Sequence, residues 1–280
     1  MNELLIFKNV SNWYILQMRL YTFFIKLTVS QLLLLSSSFV FATETKHPLQ
    51  IGSYLTPGLI TEDGSGMFNH LNNAIVSEMN ETANLSLSSL KRVRKGVLEG
   101  EFDAYFPEMW ENLPGQKNQY VVSDPIFYKR VILFTLKNSG FTNISDFRNE
   151  LLGLVEGFSY GNEIKLNPRL NLIYQQDDIT NIHLLLNNRI AGVLGGHPGT
   201  TKAVNAHNAA NNIHFDLDKP VAILESFYVC KNDLGGVNLC KAISKAIQSL
   251  LKKGVLVLNR ANGYSRFNPI EYNEMKSHQN

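Results

Sequence analysis

Two hydrophobic rhythms alternate along the chain, and together they predict an α/β protein. Residues 49–54 are expected to form the first strand, ended by Thr56-Pro57-Gly58. Beyond the turn Glu62-Asp63-Gly64-Ser65-Gly66, the residues Met67, Phe68, Leu71, Ala74, Ile75 and Met79 recur at helical spacing. That pattern predicts an amphipathic helix packed on a sheet. A second helix is predicted over 90–98, stopped at Gly100, a residue suited to a left-handed C-terminal position. The short strand Ala104-Tyr105-Phe106 follows, and Pro107 is expected to end it.

The rhythm then repeats. Strands are predicted over 131–136, 152–155, 172–174 and 191–194, with helical segments over 144–150 and 179–188. Residues 195–199 read as a loop feeding a helix that runs through His207, and 227–230 as a strand returning to the first half. Leu239, Ile243, Ala246, Ile247 and Leu250 form one apolar stripe on a last helix, closed by Gly254. Strand–helix alternation of this kind predicts two lobes, each a mostly parallel sheet flanked by helices. Extended crossings over 131–137 and 225–231 would join them as hinge strands. The loops at the carboxyl ends of the strands would then converge on a cleft that can close around a ligand. The expected division is 1–42 as a signal peptide, 43–135 and 227–280 as the first lobe, and 136–226 as the second.

The N-terminus sets the expected compartment. Met18-Arg19 and Lys26 precede a mostly apolar run over 27–41, and Val40-Phe41-Ala42 has the small or branched residues of a signal-peptidase site. Serines and threonine interrupt the run, which argues against a permanent membrane span. Met1 and Met18 are alternative starts, and no cysteine follows the run to carry a lipid. Residues 1–42 hold Lys8, Arg19 and Lys26 against Glu3, a net of two positive charges, which equals the +2 of the whole chain. The mature protein is therefore formally neutral, with no electrostatic footprint for nucleic acid. The one basic cluster, Lys91-Arg92-Val93-Arg94-Lys95, reads as a solvated helix face. Cys230 and Cys240 enclose a short loop and would form a disulfide in an oxidising compartment, or stay as two buried thiols. No cysteine–histidine spacing suggests a metal site, and no cofactor is expected.

Two readings compete for Gly157-Phe158-Ser159-Tyr160-Gly161. It matches the G-x-S-x-G pattern of a hydrolase nucleophile elbow, with Asp177, Asp178, His183, His197 and His207 downstream. Against this, the upstream region has no His-Gly-Gly oxyanion segment. The binding reading uses backbone N–H groups of a glycine-rich turn, and the dipole of the helix behind it, to hold an anionic group. Ser159 would add a hydroxyl, and Phe158 and Tyr160 an apolar wall.

Several motifs, taken in order, resemble family 3 (polar amino acid type) periplasmic solute-binding proteins. They are Gly66-Met67-Phe68; Arg92, Gly100 and Asp103; Ser123-Asp124-Pro125; the turn Gly157 to Tyr160; Leu184 to Ile190; and Lys253-Gly254 with Tyr264. The resemblance covers nearly all of the mature chain. It implies a type II periplasmic binding fold, a non-enzymatic monomer in the periplasm, and a small-molecule ligand. It also implies a membrane permease of an ABC-type importer, or a sensor, as partner. A soluble signalling or accessory receptor is the alternative role. Two departures bear on the ligand. The arginine that grips an amino-acid carboxylate in this family would fall near Gln116, beside Lys117, and the aspartate for the ammonium would fall at Gly195-Gly196-His197-Pro198. An ordinary free α-amino acid is therefore not the expected ligand. Glu108 and Trp110 with Tyr54, an acid among aromatic faces, suit an amine instead, and His197 is a further contact candidate.

Overall fold

A computed structural model describes residues 47–278 except Pro57, Gly58 and Pro198. The expected signal peptide, 1–42, lies outside the described residues. The first strand, β1 (Leu49–Ser53), leads to helix α1 (Met67–Glu78). Phe68, Leu71, Ala74 and Ile75 of α1 are buried, as their spacing requires. Strand β2 (Ala83–Leu87) follows, which the sequence reading did not pick out, because its alternation of half-buried and exposed residues carries little apolar signal. Helix α2 (Leu90–Glu99) starts where the Ser89 hydroxyl accepts the Arg92 N–H and stops at Gly100, whose φ of 82° is left-handed. Strand β3 (Ala104–Glu108) runs through Pro107 rather than ending there, and the Phe106–Pro107 peptide bond is cis.

After the short β4 (Tyr120–Val122) comes β5 (Phe127–Leu136), ten residues long. The second lobe holds β6 (Leu151–Val155), the single-turn α3 (Asn162–Lys165) and β7 (Asn171–Gln175). Helix α4 (Asp178–Leu186), β8 (Gly192–Gly196), α5 (Gly199–Ala206) and the two-residue β9 (Ile213–His214) complete it. The helix expected over 144–150 is only a tight turn at Ile144–Asp146, closed by reciprocal Asn143 and Asp146 bonds. The chain returns through β10 (Ala222–Lys231), again ten residues, into the long helix α6 (Leu234–Lys252). That helix is not the last: the hairpin β11 (Leu256–Asn259) and β12 (Tyr264–Phe267) and helix α7 (Pro269–Ser277) follow it.

The main sheet runs β2-β1-β3-β10-β5-β8-β6-β7. Within the first lobe β1 is parallel to β2 and β3, and within the second β6 is parallel to β7 and β8. The long strands β5 and β10 are antiparallel to their neighbours and to each other, and they join the lobes. They begin at Phe127 and Ala222, earlier than the expected crossings, because Phe127–Val131 pairs with Ala222–Ser226 before each strand enters its own sheet.

Each lobe has its own apolar interior. The first lobe's centres on Ile51, Phe68, Phe106, Tyr228, Ile247 and Leu250. The second's is split by its sheet between Ile132, Phe134, Ile182 and Val193 on one face and Leu133, Phe147, Leu154 and Leu194 on the other. Cys230 of β10 and Cys240 of α6 are disulfide-bonded, with Cα atoms 6.2 Å apart, so the strand is stapled to the helix that covers it. The covalent loop is short, and replacing both cysteines by alanine is expected to lower unfolding free energy by about 3 kcal/mol in urea titrations. An unchanged midpoint would mean that packing alone holds β10 on α6.

Candidate functional site

The expected site residues fall into two clusters. Tyr54 and Glu108 meet inside the first lobe. Glu108 is 3% exposed and ends β3 beneath α2. Its Oε2 accepts Arg94 Nε at 2.6 Å and the Tyr105 hydroxyl at 3.0 Å, while its Oε1 accepts the Met109 N–H at 2.9 Å. Arg94 thus turns inward, so the basic run 91–95 is not wholly a solvated face. The Tyr54 hydroxyl donates to the Pro107 carbonyl at 2.9 Å. Burial first, and the Glu108 charge second, push the Tyr54 phenol above its ordinary range. Glu108 is therefore committed within its lobe and does not offer an open carboxylate to a ligand amine. An open groove of about 530 Å³ borders Arg94, with Lys91, Lys95, Leu98 and Tyr120 among its walls, and none of the expected ligand residues lines it.

Trp110 sits in a tight turn just beyond β3, 41% exposed, with Lys117 Nζ 5.4 Å from its ring centre. Gln116, the position of the missing arginine, is exposed and hydrogen-bonds through its carbonyl to the Gln119 N–H.

The second cluster gathers at the turn after β6. Gly157 (φ +80°) makes the bend, which a side chain would strain. The buried Tyr160 hydroxyl accepts the Val155 N–H at 2.8 Å and so pins the turn back on β6. The helix behind the turn, α3, is one turn long, and the turn presents the Ser159 carbonyl to a cation. That carbonyl accepts Lys129 Nζ at 2.8 Å, and the same ammonium lies 5.2 Å from the Phe158 ring centre and 5.1 Å from that of Tyr160. Carbonyl and ring faces are cation-stabilising groups. Phe158 is 58% exposed, so the aromatic wall is open on one side.

Lys129 comes from β5, the joining strand. Burial pulls its ammonium down from the ordinary 10.5 to about 8, opposed by the charges of Asp178 and Glu111. Among the described residues it makes no ion pair, and its one hydrogen bond is to Ser159. Asp178 opens α4 behind the cap Asp177, which accepts the Thr180 N–H at 2.7 Å. Its Oδ1 accepts the Thr200 hydroxyl at 2.8 Å, and that hydroxyl accepts the Gly196 N–H at 3.0 Å. Burial raises the Asp178 carboxyl. The place where no carboxylate was expected, beside Gly195-Gly196-His197, is thus served by Asp178 from a neighbouring helix. His197 is exposed, with Nδ1 3.1 Å from the Thr201 hydroxyl.

Lys129, Glu111 and Thr200 were not singled out from sequence, and Asp178 only as a hydrolase acid. The signal for Lys129 was a lysine heading an apolar strand. Ser159 is buried, and the histidines have other partners: His183 with Asn187, His197 with Thr201, and His207 with the Ala203 carbonyl. Among the described residues, no group of three His, Cys, Asp or Glu side chains could hold a metal ion, and no helix is long and apolar enough to cross a membrane.

No family model matches the chain, and no curated protein matches it in sequence. Solved structures do. The GluR0 ligand-binding core from Nostoc punctiforme, complexed with L-glutamate, superposes with a TM-score of 0.56 at 13% identity, over 74% of this chain and 94% of that one. This chain has the type II periplasmic binding protein fold. A histidine-bound substrate-binding protein of an ABC uptake transporter from Streptococcus pneumoniae shares the fold, with a TM-score of 0.54 at 20% identity over 74% of this chain and 88% of the other. So does a histidine kinase sensor domain, with a TM-score of 0.55 at 15% identity over 83% and 96%. In such a binding protein fold, Lys129 stands on the strand that joins the lobes, within electrostatic reach of Glu111 from the loop after β3 and Asp178 of the second lobe.

Two substitutions separate the clusters. Glu108→Gln leaves the largely buried Arg94 without its counter-charge and is expected to cost about 3 kcal/mol of stability in denaturant titrations. Lys129 works in the opposite sense. Between a folded-state value of about 8 and the ordinary 10.5, the unfolded chain binds more protons, so stability rises with pH across that window. Below about pH 8 the full cost of the buried charge is present. Lys129→Met should therefore stabilise the ligand-free protein at pH 7 and flatten its melting temperature between pH 8 and 10.5.

Proposed function

We propose that this chain is a periplasmic solute-binding protein that captures a small polar solute between its two lobes. The observation that carries this reading is the incompletely paired ammonium of Lys129, held at the lobe junction among groups from separate elements. A structural ion pair would be closed, as Arg94–Glu108 is. Among the described residues, Lys129 spends one donor and keeps the others for a solute. The lobe boundaries are proposed at 135 and 227, so that the first lobe takes both ends of the mature chain. Tyr54, Trp110, Gly157, Phe158, Ser159, Tyr160 and His197 are the ligand contacts we propose, and Glu108, committed to Arg94 and Tyr105, is not among them. The neighbours described as parts of ABC importers support an importer as the membrane partner of a monomeric binding protein. The sensor-domain neighbour supports a signalling receptor of the same fold as the second reading. Neither a cofactor nor catalysis enters. The burial of Ser159 speaks against the nucleophile elbow.

The ligand we propose is not an ordinary free α-amino acid, because no planar arginine fork stands near Gln116 and a lysine is a point charge of different reach. A thermal-shift screen of amines, carboxylates, amino acids and small peptides tests both parts. A true ligand at about a hundredfold over its dissociation constant should stabilise the protein by about 2.7 kcal/mol and compact it in small-angle scattering. Tight binding of glutamate or histidine would defeat the ligand proposal while leaving the binding role intact. Covalent labelling of Ser159 by an active-serine probe, with ester turnover, would replace the role itself.

A further inference from the structure

Resting on the solute-binding reading, we infer that Lys129 is the anion anchor of the cleft and that its ligand is a small carboxylic acid bearing an amino or hydroxyl donor for Asp178. Two observations and one principle carry this. The ammonium is fixed by one carbonyl, Ser159 at 2.8 Å, and by two ring faces, so its position is set before any ligand arrives. An ammonium has three donors, and among the described residues only one is used. A cation removed from water without a carboxylate partner is costly, and an entering carboxylate offsets that cost with a charge-assisted hydrogen bond. The fold thus leaves open a bond that it could have closed.

The rest of the ligand follows from the local charge. Glu111 and Asp178 both act on Lys129, giving two carboxylates to one ammonium. A dianion would meet net repulsion there, and an amine with no acid group would meet Lys129 already seated on the cation-stabilising faces. Asp178 is held by Thr200, which accepts in turn from Gly196. One oxygen of Asp178 is spent on Thr200, leaving the other, Oδ2, for a ligand donor. A Cβ on Gly199 would come within 3.2 Å of that Oδ2, so a glycine keeps this approach clear. A solute with one carboxylate and one donor group satisfies both ends.

The test uses the mature protein and matched probes: 4-aminobutanoate, 4-hydroxybutanoate, butanoate, butylamine, L-glutamate and an uncharged sugar, read by calorimetry and thermal shift. The expected result is binding of the amino or hydroxy acid ahead of butanoate, and none by butylamine. Lys129→Met should weaken that binding by at least tenfold, while its ligand-free melting temperature at pH 7 equals or exceeds that of the parent, which shows that the variant folds. Asp178→Asn should lower the preference over butanoate without abolishing carboxylate binding. Binding of butylamine alone, or of an acid whose affinity is unchanged in Lys129→Met, overturns the anchor and leaves the solute-binding reading standing. Binding of the sugar alone does the same. No binding by any probe, charged or neutral, overturns the inference together with the reading on which it rests.

Discussion

The pairing of β5 with β10 is the constraint on which everything else hangs. Over Phe127–Val131 and Ala222–Ser226 the two strands pair with each other, and beyond that stretch they part. β10 goes on to pair with β3 and β4 in the first lobe, while β5 goes on to pair with β8 and β9 in the second. A register shift between Phe227 and Val229 marks the handover, as a bulge does where a strand changes direction. The C-terminal hairpin braces this joint: the Ser265 hydroxyl accepts the Tyr128 N–H at 2.7 Å, and Arg260 pairs with Glu225 at 3.1 Å. Both ten-residue strands therefore run from the joint into a lobe, and any relative motion of the lobes has to pass through a few backbone bonds.

The electrostatics of the molecule divide along the same line. Away from the joint, buried charges are closed. Glu108 has Arg94 and Tyr105, and Glu78 has Lys253 at 2.7 Å with Ser249 at 2.6 Å, an arrangement that ties α1 to α6. At the joint, Lys129 is left with a carbonyl and two rings. A low-dielectric interior makes complete networks rigid and incomplete ones responsive. The distribution fits a scaffold whose lobes are stiff and whose junction is chemically unfinished.

Most of the scaffold was legible in the sequence because periodicity reports burial. The stripe of α6 and the spacing of α1 are strong signals, and both helices stand where the pattern put them. β2 was missed because its side chains are never deeply buried, and β3 was cut short because Pro107 falls at the irregularity opposite Phe227 and Val229, where the strand needs no ladder N–H. The turn at Gly157 was visible, but the lysine that bonds its Ser159 carbonyl was not. Whether a glycine turn points N–H groups or a carbonyl at its neighbour depends on backbone dihedrals that composition does not encode. Glu108 looked like a cleft acid because Arg94, fourteen residues earlier, gives no local hint that it will turn inward. Lys129 escaped, and Asp178 was read only as a hydrolase acid, for the same reason: each acquires its role from residues distant in the chain.

The first lobe's interior mixes Ile51, Phe68 and Phe106 with Cys230, Ile247, Leu256 and Tyr272. Its two halves are thus separated by the whole of the second lobe. During synthesis, which proceeds from the N-terminus, the second lobe has all of its strands well before the first has its closing helix. Early apolar segments such as α1 must wait, uncovered, for α6 and α7. A chain built in this order has a reason to be kept unfolded until its last residues emerge, and a truncation of even the final fifty residues would remove the cover of the lobe that began first.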